Sequence, residues 1–355
     1  MKSEIEKILD EKAPIINKMI ERYAPRKYNR NSLIFTLGAP RYEYNIEAVN
    51  KAIADPIWEF LDRGGKRWRP NLFLLVCQAL GTDPDRLSDF AIIPEVIHNG
   101  TLMIDDVEDS SETRRGKPCT YKLFGLDVAI NTGNVMYYLP LLALIKNKNK
   151  ISLEQENKIY EVYVQEMIRL SFGQATDIAW HKGLAEANDM QYLQMCAHKT
   201  GTLARMSAKM AAVLAGASDT TVERMGRFAE TIAVAFQIQD DVLDLVGEEF
   251  AERKGGRGQD ITEGKRSLMV IHTLEKAQEA DKKRLLEILD MHTTDQKLRD
   301  EAIAIIKKYG SIKYAKWFAR SLIDKSWKEI DQLLKPSDAK RKLRAFARYL
   351  VEREI

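Results

Sequence analysis

Cysteine is scarce: three in 355 residues. Cys77, Cys119 and Cys196 are scattered, and none forms a CxxC pair, which argues against zinc and against a disulfide framework. A reduced, cytoplasmic setting fits. Net charge is scarce too, because 55 Lys and Arg against 52 Asp and Glu leave only +3. That offers no bulk attraction to nucleic acid or to an anionic membrane, and no basic stripe with interleaved aromatics is seen. The N-terminal stretch MKSEIEKILDEKAPI has no apolar signal core. Long apolar runs are missing: the longest candidate, Val135 to Ile145, is too short for a bilayer and reads as a buried helix. Strand-type alternation is sparse, and no repeat of solenoid period occurs.

What is present is helical. Residues 4 to 23 carry Ile5, Ile8, Leu9, Ile15, Ile16, Met19 and Ile20 at helical spacing, with Pro14 expected to kink or divide the helix. Residues 24 to 45 read as a connector rich in Pro, Tyr, Asn and Arg. From residue 46 the periodicity predicts helices over 47–62, 66–80, 86–110, 127–147, 152–181, 188–216, 219–247, 263–278, 280–290, 295–308, 310–334 and 337–352. No Gly/Ser linker interrupts them. The expectation is an all-α chain, with an N-terminal helix and connector at 1–45 and one large helical domain at 46–355. Such bundles build ligand sites from facing side chains in the core.

The central stretch is EVIHNGTLMIDDVEDSSETRRGKP, residues 95 to 118. On a helix Asp105 and Asp109 share a face, about 6 Å apart along the axis, with Asp106 roughly 100° round from Asp105. Carboxylates so placed repel unless a cation lies between them. Hard oxygen ligands suit Mg²⁺ or Mn²⁺, and Mg²⁺ completes its shell with substrate phosphates. Arg114 and Arg115 follow, offering forked donors to an anion. Taken alone, the stretch is more simply a solvated acidic helix end.

It does not stand alone. Residues 236 to 244, FQIQDDVLD, place Asp240, Asp241 and Asp244 in a second DDxxD at the end of another apolar helix. Two such acid clusters can hold several Mg²⁺ ions around a diphosphate, whose cleavage from carbon adds charge that metal stabilises. Cations accompany them. GGKRWRP at 64 to 70 supplies Lys66, Arg67 and Arg69 after two glycines that allow close backbone approach, at a helix start where N–H groups also point outward. HKTGTL contributes Lys199 and Thr200, and GQDITEGKRS contributes Lys265. His98 lies two helical turns before Asp105, either as a satisfied structural histidine or as a phosphate ligand.

Together GGKRWRP, IHNGTLMIDDVED with RRGKP, GQATD at 173 to 177, HKTG, FQIQDDVLD and GQDITEGK, in that order, resemble the trans-isoprenyl diphosphate synthases. This is the family of farnesyl, geranylgeranyl and longer polyprenyl diphosphate synthases, and the resemblance covers residues 50 to 355. It implies a helical bundle of the isoprenoid synthase type, with a central cavity lined by both DDxxD motifs. It implies condensation of isopentenyl diphosphate with an allylic diphosphate, head to tail and trans, by ionisation, attack of the isopentenyl double bond and proton loss. Asp105, Asp109 and Asp240, supported by Asp106, Asp241 and Asp244, would bind about three Mg²⁺, with Mn²⁺ as the alternative. Arg114, Lys199 and Lys265 would hold the allylic diphosphate. Lys66, Arg69, His98 and Arg115 would hold the isopentenyl diphosphate. Thr200, Gln174 and Gln237 would line the reacting carbons. The released diphosphate would act as base. A homodimer without membrane insertion is expected by resemblance.

Departures exist. The lysine that the family often carries four or five residues before Asp260 is replaced by Gly255 and Gly256, flanked by Lys254 and Arg257. Cys119 and Asn134 stand where Thr and Asp are common. For product length, Gly100 and Thr101, five and four residues before Asp105, are small. With Ile97 further up that face and Tyr137 and Tyr138 as a floor, the expected product is geranylgeranyl diphosphate or longer. The competing reading is that Gly100 permits close helix packing. A terpene cyclase or a head-to-head synthase would not need GGKRWRP, and a silent partner subunit would usually have lost one acid cluster.

Overall fold

The computed structural model describes residues 3–247 and 257–352. Among them regular structure is helical, apart from a two-residue ribbon pairing Thr113–Arg114 with Lys117–Pro118. The chain divides into two compact units, residues 1–160 with 210–218 and residues 161–209 with 219–355.

In the first unit, Glu4–Tyr23 opens on a reciprocal cap: the Ser3 hydroxyl accepts from the Glu6 N–H, and the Glu6 carboxylate accepts from the Ser3 N–H. The helix runs through Pro14 undivided, its stripe of Ile5, Leu9, Ile16 and Ile20 buried. Apolar packing here outweighs the roughly 3 kcal/mol that an interior proline costs. The segment read as a connector contains a further helix, Arg30–Leu37, started by a reciprocal Asn29–Ser32 cap. Leu33 of that helix is buried with Tyr28 and Ala54. Ile92–Glu108 packs along Leu126–Tyr138. A Cβ on Gly100 would stand 2.8 Å from the Gly133 carbonyl oxygen and 2.8 Å from Met136 Cβ, so the missing side chain lets these two helices touch.

The stretch Leu126–Lys150 is long and apolar enough to cross a membrane by length and composition, at a mean hydropathy of 1.4. That is a longer candidate than the Val135 to Ile145 window of the sequence. Half of its most apolar 18-residue window is buried, and a 3₁₀ turn, Leu139–Leu141, breaks the stretch at Pro140. Tyr138 is 66% exposed, so within this chain it does not form the floor expected of it; Tyr137 is the half-buried member of the pair.

In the second unit, Asp219–Val246 packs along Ser311–Ile330. The helix expected over 188–216 is broken at Thr200 into Asp189–Lys199 and Gly201–Leu214. Two features seat this break. Gly173 lies so close to it that a Cβ would stand 2.7 Å from the His198 carbonyl carbon, with Lys199 N nearer still. Just beyond, buried Glu166 accepts from Arg205 Nε at 2.8 Å and from the Thr202 hydroxyl at 2.7 Å. A buried charge needs that kind of satisfaction.

Candidate active site

The first acid cluster sits where Ile92–Glu108 stops. Ser110 adopts φ 52°, and its N–H bonds to the Val107 carbonyl while the Ser111 N–H bonds to that of Asp106. This double closure is the common left-handed helix terminus, here with Ser in the place usually held by Gly. Asp109 caps the helix, and its N–H still reaches the Asp105 carbonyl at 2.8 Å. Asp105 and Asp109 thus remain one turn apart and half-buried, whereas Asp106 is fully buried.

Asp106 is held by Arg114, which donates from Nε at 2.6 Å to Oδ1 and places Nη2 2.5 Å from the same atom and 3.6 Å from Asp105 Oδ2. Burial pushes the Asp106 carboxyl up, and the guanidinium opposes it. The adjacent arginines part because of the turn between them. Arg115 and Gly116 have φ 53° and 76°, the double left-handed geometry of a two-residue hairpin. Arg115 therefore leads away from Arg114. It donates to the Gly64 carbonyl, lies 3.4 Å from Asn99 Oδ1 and covers the Phe60 ring.

Arg115 joins a cationic patch. Arg67, in a left-handed conformation at φ 47°, is buried and pairs with Glu95 at 3.2 Å. It is the internal anchor of GGKRWRP rather than a surface charge. Arg69 is buried over the Trp68 ring, and Lys66 is exposed. Gly65, at φ 127°, admits both guanidiniums: its Cβ would stand 3.1 Å from Arg67 Nη1 and 3.2 Å from Arg115 Nη2. Burial, then Arg69, Arg115, Arg67 and Arg114 in turn, drive His98 well below the usual histidine range, so it is neutral. Burial and Arg67 bring Arg115 down to about 10. Crowded cations around a neutral imidazole make an anion site. Of the expected isopentenyl diphosphate set, Arg69, His98 and Arg115 are gathered here.

The second acid cluster belongs to the other unit. Asp240 is half-buried, and Asp241 and Asp244 are buried. Asp241 accepts from the Tyr192 hydroxyl at 2.7 Å and from Gln237 Nε2 at 2.8 Å, while Thr200 Oγ1 donates to Gln237 Oε1 at 3.0 Å. Burial, then the neighbouring Asp260 carboxylate, raises Asp241 to about 7. Asp244 Oδ2 accepts from the Asp260 N–H at 3.0 Å, and Asp260 Oδ1 lies 3.0 Å from Lys265 Nζ. Lys199 pairs with Asp177 at 2.5 Å. Of the expected residues, Gln237 bonds this cluster directly, Thr200 reaches it through Gln237 and Lys265 through Asp260, whereas Lys199 is held by Asp177. Gly255 and Gly256, which stand where the family often has a lysine, and Lys254 beside them lie outside the described residues. Arg257, beside them, pairs with Asp300.

Sequence reasoning missed Asn99, Tyr192 and the role of Arg67. It quoted Asp177 and Asp260 within GQATD and GQDITEGK without assigning them. Nothing in the sequence marks Tyr192.

The described residues contain no group of three His, Cys, Asp or Glu that could hold a metal unaided. Mg²⁺ takes one or two carboxylates and fills its shell with water and phosphate oxygens. Half-buried Asp105, Asp109 and Asp240 fit such a role.

A family model described as polyprenyl synthetase matches residues 50–306. A short chain isoprenyl diphosphate synthase of Methanothermobacter thermautotrophicus is 35% identical over 316 residues, covering 87% of this chain and 95% of that protein. The crystal structure of geranylgeranyl pyrophosphate synthetase from Pyrococcus horikoshii is similar at a TM-score of 0.85 and 32% identity, covering 99% of each chain. That of geranylgeranyl pyrophosphate synthase from Corynebacterium glutamicum, complexed with isoprenyl diphosphate and magnesium, shares the fold at a TM-score of 0.82 and 21% identity, covering 97% of this chain and 99% of that one. The chain belongs to the polyprenyl synthetase family, trans-prenyltransferases that act on isoprenyl diphosphates with a divalent metal.

Proposed function

We propose that the enzyme condenses isopentenyl diphosphate with an allylic diphosphate to give geranylgeranyl diphosphate or a longer chain. The observation that carries this reading is the cationic patch at Gly65, where the Arg67 and Arg115 guanidiniums meet, with Arg115 also against Asn99 next to His98. A diphosphate-ionising enzyme with one substrate has no use for a second anion site. Lys66, Arg69, His98 and Arg115 hold isopentenyl diphosphate there. Arg114, Lys199 and Lys265 hold the allylic diphosphate.

Asp105, Asp109 and Asp240 are the direct metal ligands. Asp106, Asp241 and Asp244 would act one step back, because each is buried. About three Mg²⁺, or Mn²⁺, would supply the positive charge that lets the diphosphate leave. Thr200 and Gln237 face the developing carbocation with oxygen lone pairs. The departing diphosphate takes the proton, so no side-chain base is assigned. Thr101, with Ile97 further up that face, sets product length, while Gly100 serves the packing against Leu126–Tyr138. Residues 46–355 form the synthase domain, preceded by the helix and connector of 1–45. The enzyme works as a cytoplasmic homodimer.

The test is incubation with labelled isopentenyl diphosphate, Mg²⁺ and each allylic primer in turn, with product length read by chromatography. Geranylgeranyl or longer products support the reading. Farnesyl diphosphate as the end product overturns the length assignment, and failure of every primer overturns the activity.

A further inference from the structure

We infer that Tyr192 is a positioning residue for the condensation, fixing the direction of the Thr200 hydroxyl through Asp241 and Gln237. The inference rests on the reading above, in which Thr200 and Gln237 meet the reacting carbons. The argument is one of donors and acceptors. An ionised carboxylate only accepts, an amide has one donating and one accepting end, and a hydroxyl has a single proton.

Tyr192 is buried, and its hydroxyl donates to Asp241 Oδ2 at 2.7 Å. Gln237 Nε2 donates to Asp241 Oδ1 at 2.8 Å. Each carboxylate oxygen thus faces a donor. With its NH₂ end committed to Asp241, the Gln237 amide cannot flip, so Oε1 faces Thr200. Thr200 must then spend its only proton on Oε1, at 3.0 Å. Its lone pairs are left for an electron-poor carbon. Reversing the chain would turn the Thr200 proton toward the cation, which is repulsive. Tyr192 stands at the far end of this series. It comes from Asp189–Lys199, the helix that ends immediately before Thr200.

Tyr192→Phe removes the hydroxyl and keeps the ring and its packing. The expected result is a fall in kcat of at least about tenfold, the usual worth of a hydrogen bond to a charged group. KM for isopentenyl diphosphate should hold, because that site draws on other residues. Added to Thr200→Val, Tyr192→Phe should cost less than about twofold more, since both changes break one chain. A native kcat for Tyr192→Phe, or fully multiplicative effects in the double variant, would overturn the inference. A crystal structure of Tyr192→Phe decides independently of turnover. Loss of the Thr200–Gln237 hydrogen bond supports the chain, and its persistence with Asp241 unmoved overturns it. Absence of product from the native enzyme would instead sink the reading of function, and the crystal structure would still judge Tyr192.

Discussion

Gly173→Ala should damage stability and rate together. Gly173 belongs to Leu153–His181, and a methyl there would meet backbone rather than a yielding side-chain tip: the His198 carbonyl carbon at 2.7 Å, His198 Cβ at 2.8 Å, and Lys199 N closer again. Ordinary carbon contacts need about 3.5 Å or more, so the chain at 198–199 must retreat by about 1 Å. Overpacking of this kind costs about 1–3 kcal/mol. Alanine returns about 1 kcal/mol through its better helix propensity, which leaves a net destabilisation of up to roughly 2 kcal/mol. The retreating segment carries Lys199 and Thr200, and a misplacement of about 1 Å at a reacting group is worth about 100-fold in rate. Urea unfolding gives the first number, and kcat under saturating substrates gives the second. A variant as stable as native, with native kcat, would show that the helix break does not depend on this contact.

Thr101→Phe should shorten the product without a gross loss of stability, because Thr101 is only half-buried; chromatography of products reads it, and an unchanged product removes Thr101 from the tunnel. Gly100→Phe is a poor substitute, since any side chain there strikes the Gly133 carbonyl. His98 gives a pH signature. Its folded pKa lies below the unfolded value of about 6.5, so the unfolded chain takes the proton first and stability falls as pH drops below about 6.5. His98→Asn should lessen that slope by at most about 1.4 kcal/mol per pH unit, measured by urea unfolding at several pH values; an identical slope in both proteins would mean that His98 titrates normally.

The all-helical fold was legible because apolar spacing is a long-range average, and helices such as Asp219–Val246 carry it over many turns. Interruptions were less legible. The break at Thr200 has no Pro, and Gly201 beside it is only a weak signal; the close approach of Gly173 and the buried Glu166–Arg205 pair seat it, and sequence periodicity cannot register either. Arg30–Leu37 was hidden in a connector, although Asn29 and Ser32 do spell a cap. In the candidate site, residue types were readable and orientations were not. RRGKP shows two anion-binding arginines; only the hairpin geometry at Arg115 and Gly116 shows that one turns to Asp106 and the other to the His98 patch. DDxxD shows three acids; only burial separates Asp105 and Asp109 from Asp106.

The most direct test is single-turnover condensation by native enzyme, Asp105→Asn and Asp240→Asn, at equal Mg²⁺ and with all substrates saturating. A lost carboxylate ligand that weakens charge stabilisation by about 3–4 kcal/mol slows bond cleavage by about 10²–10³-fold, and each variant alone should show a fall of that size. If either variant forms prenyl product at the native rate, the role proposed for that acid cluster is wrong.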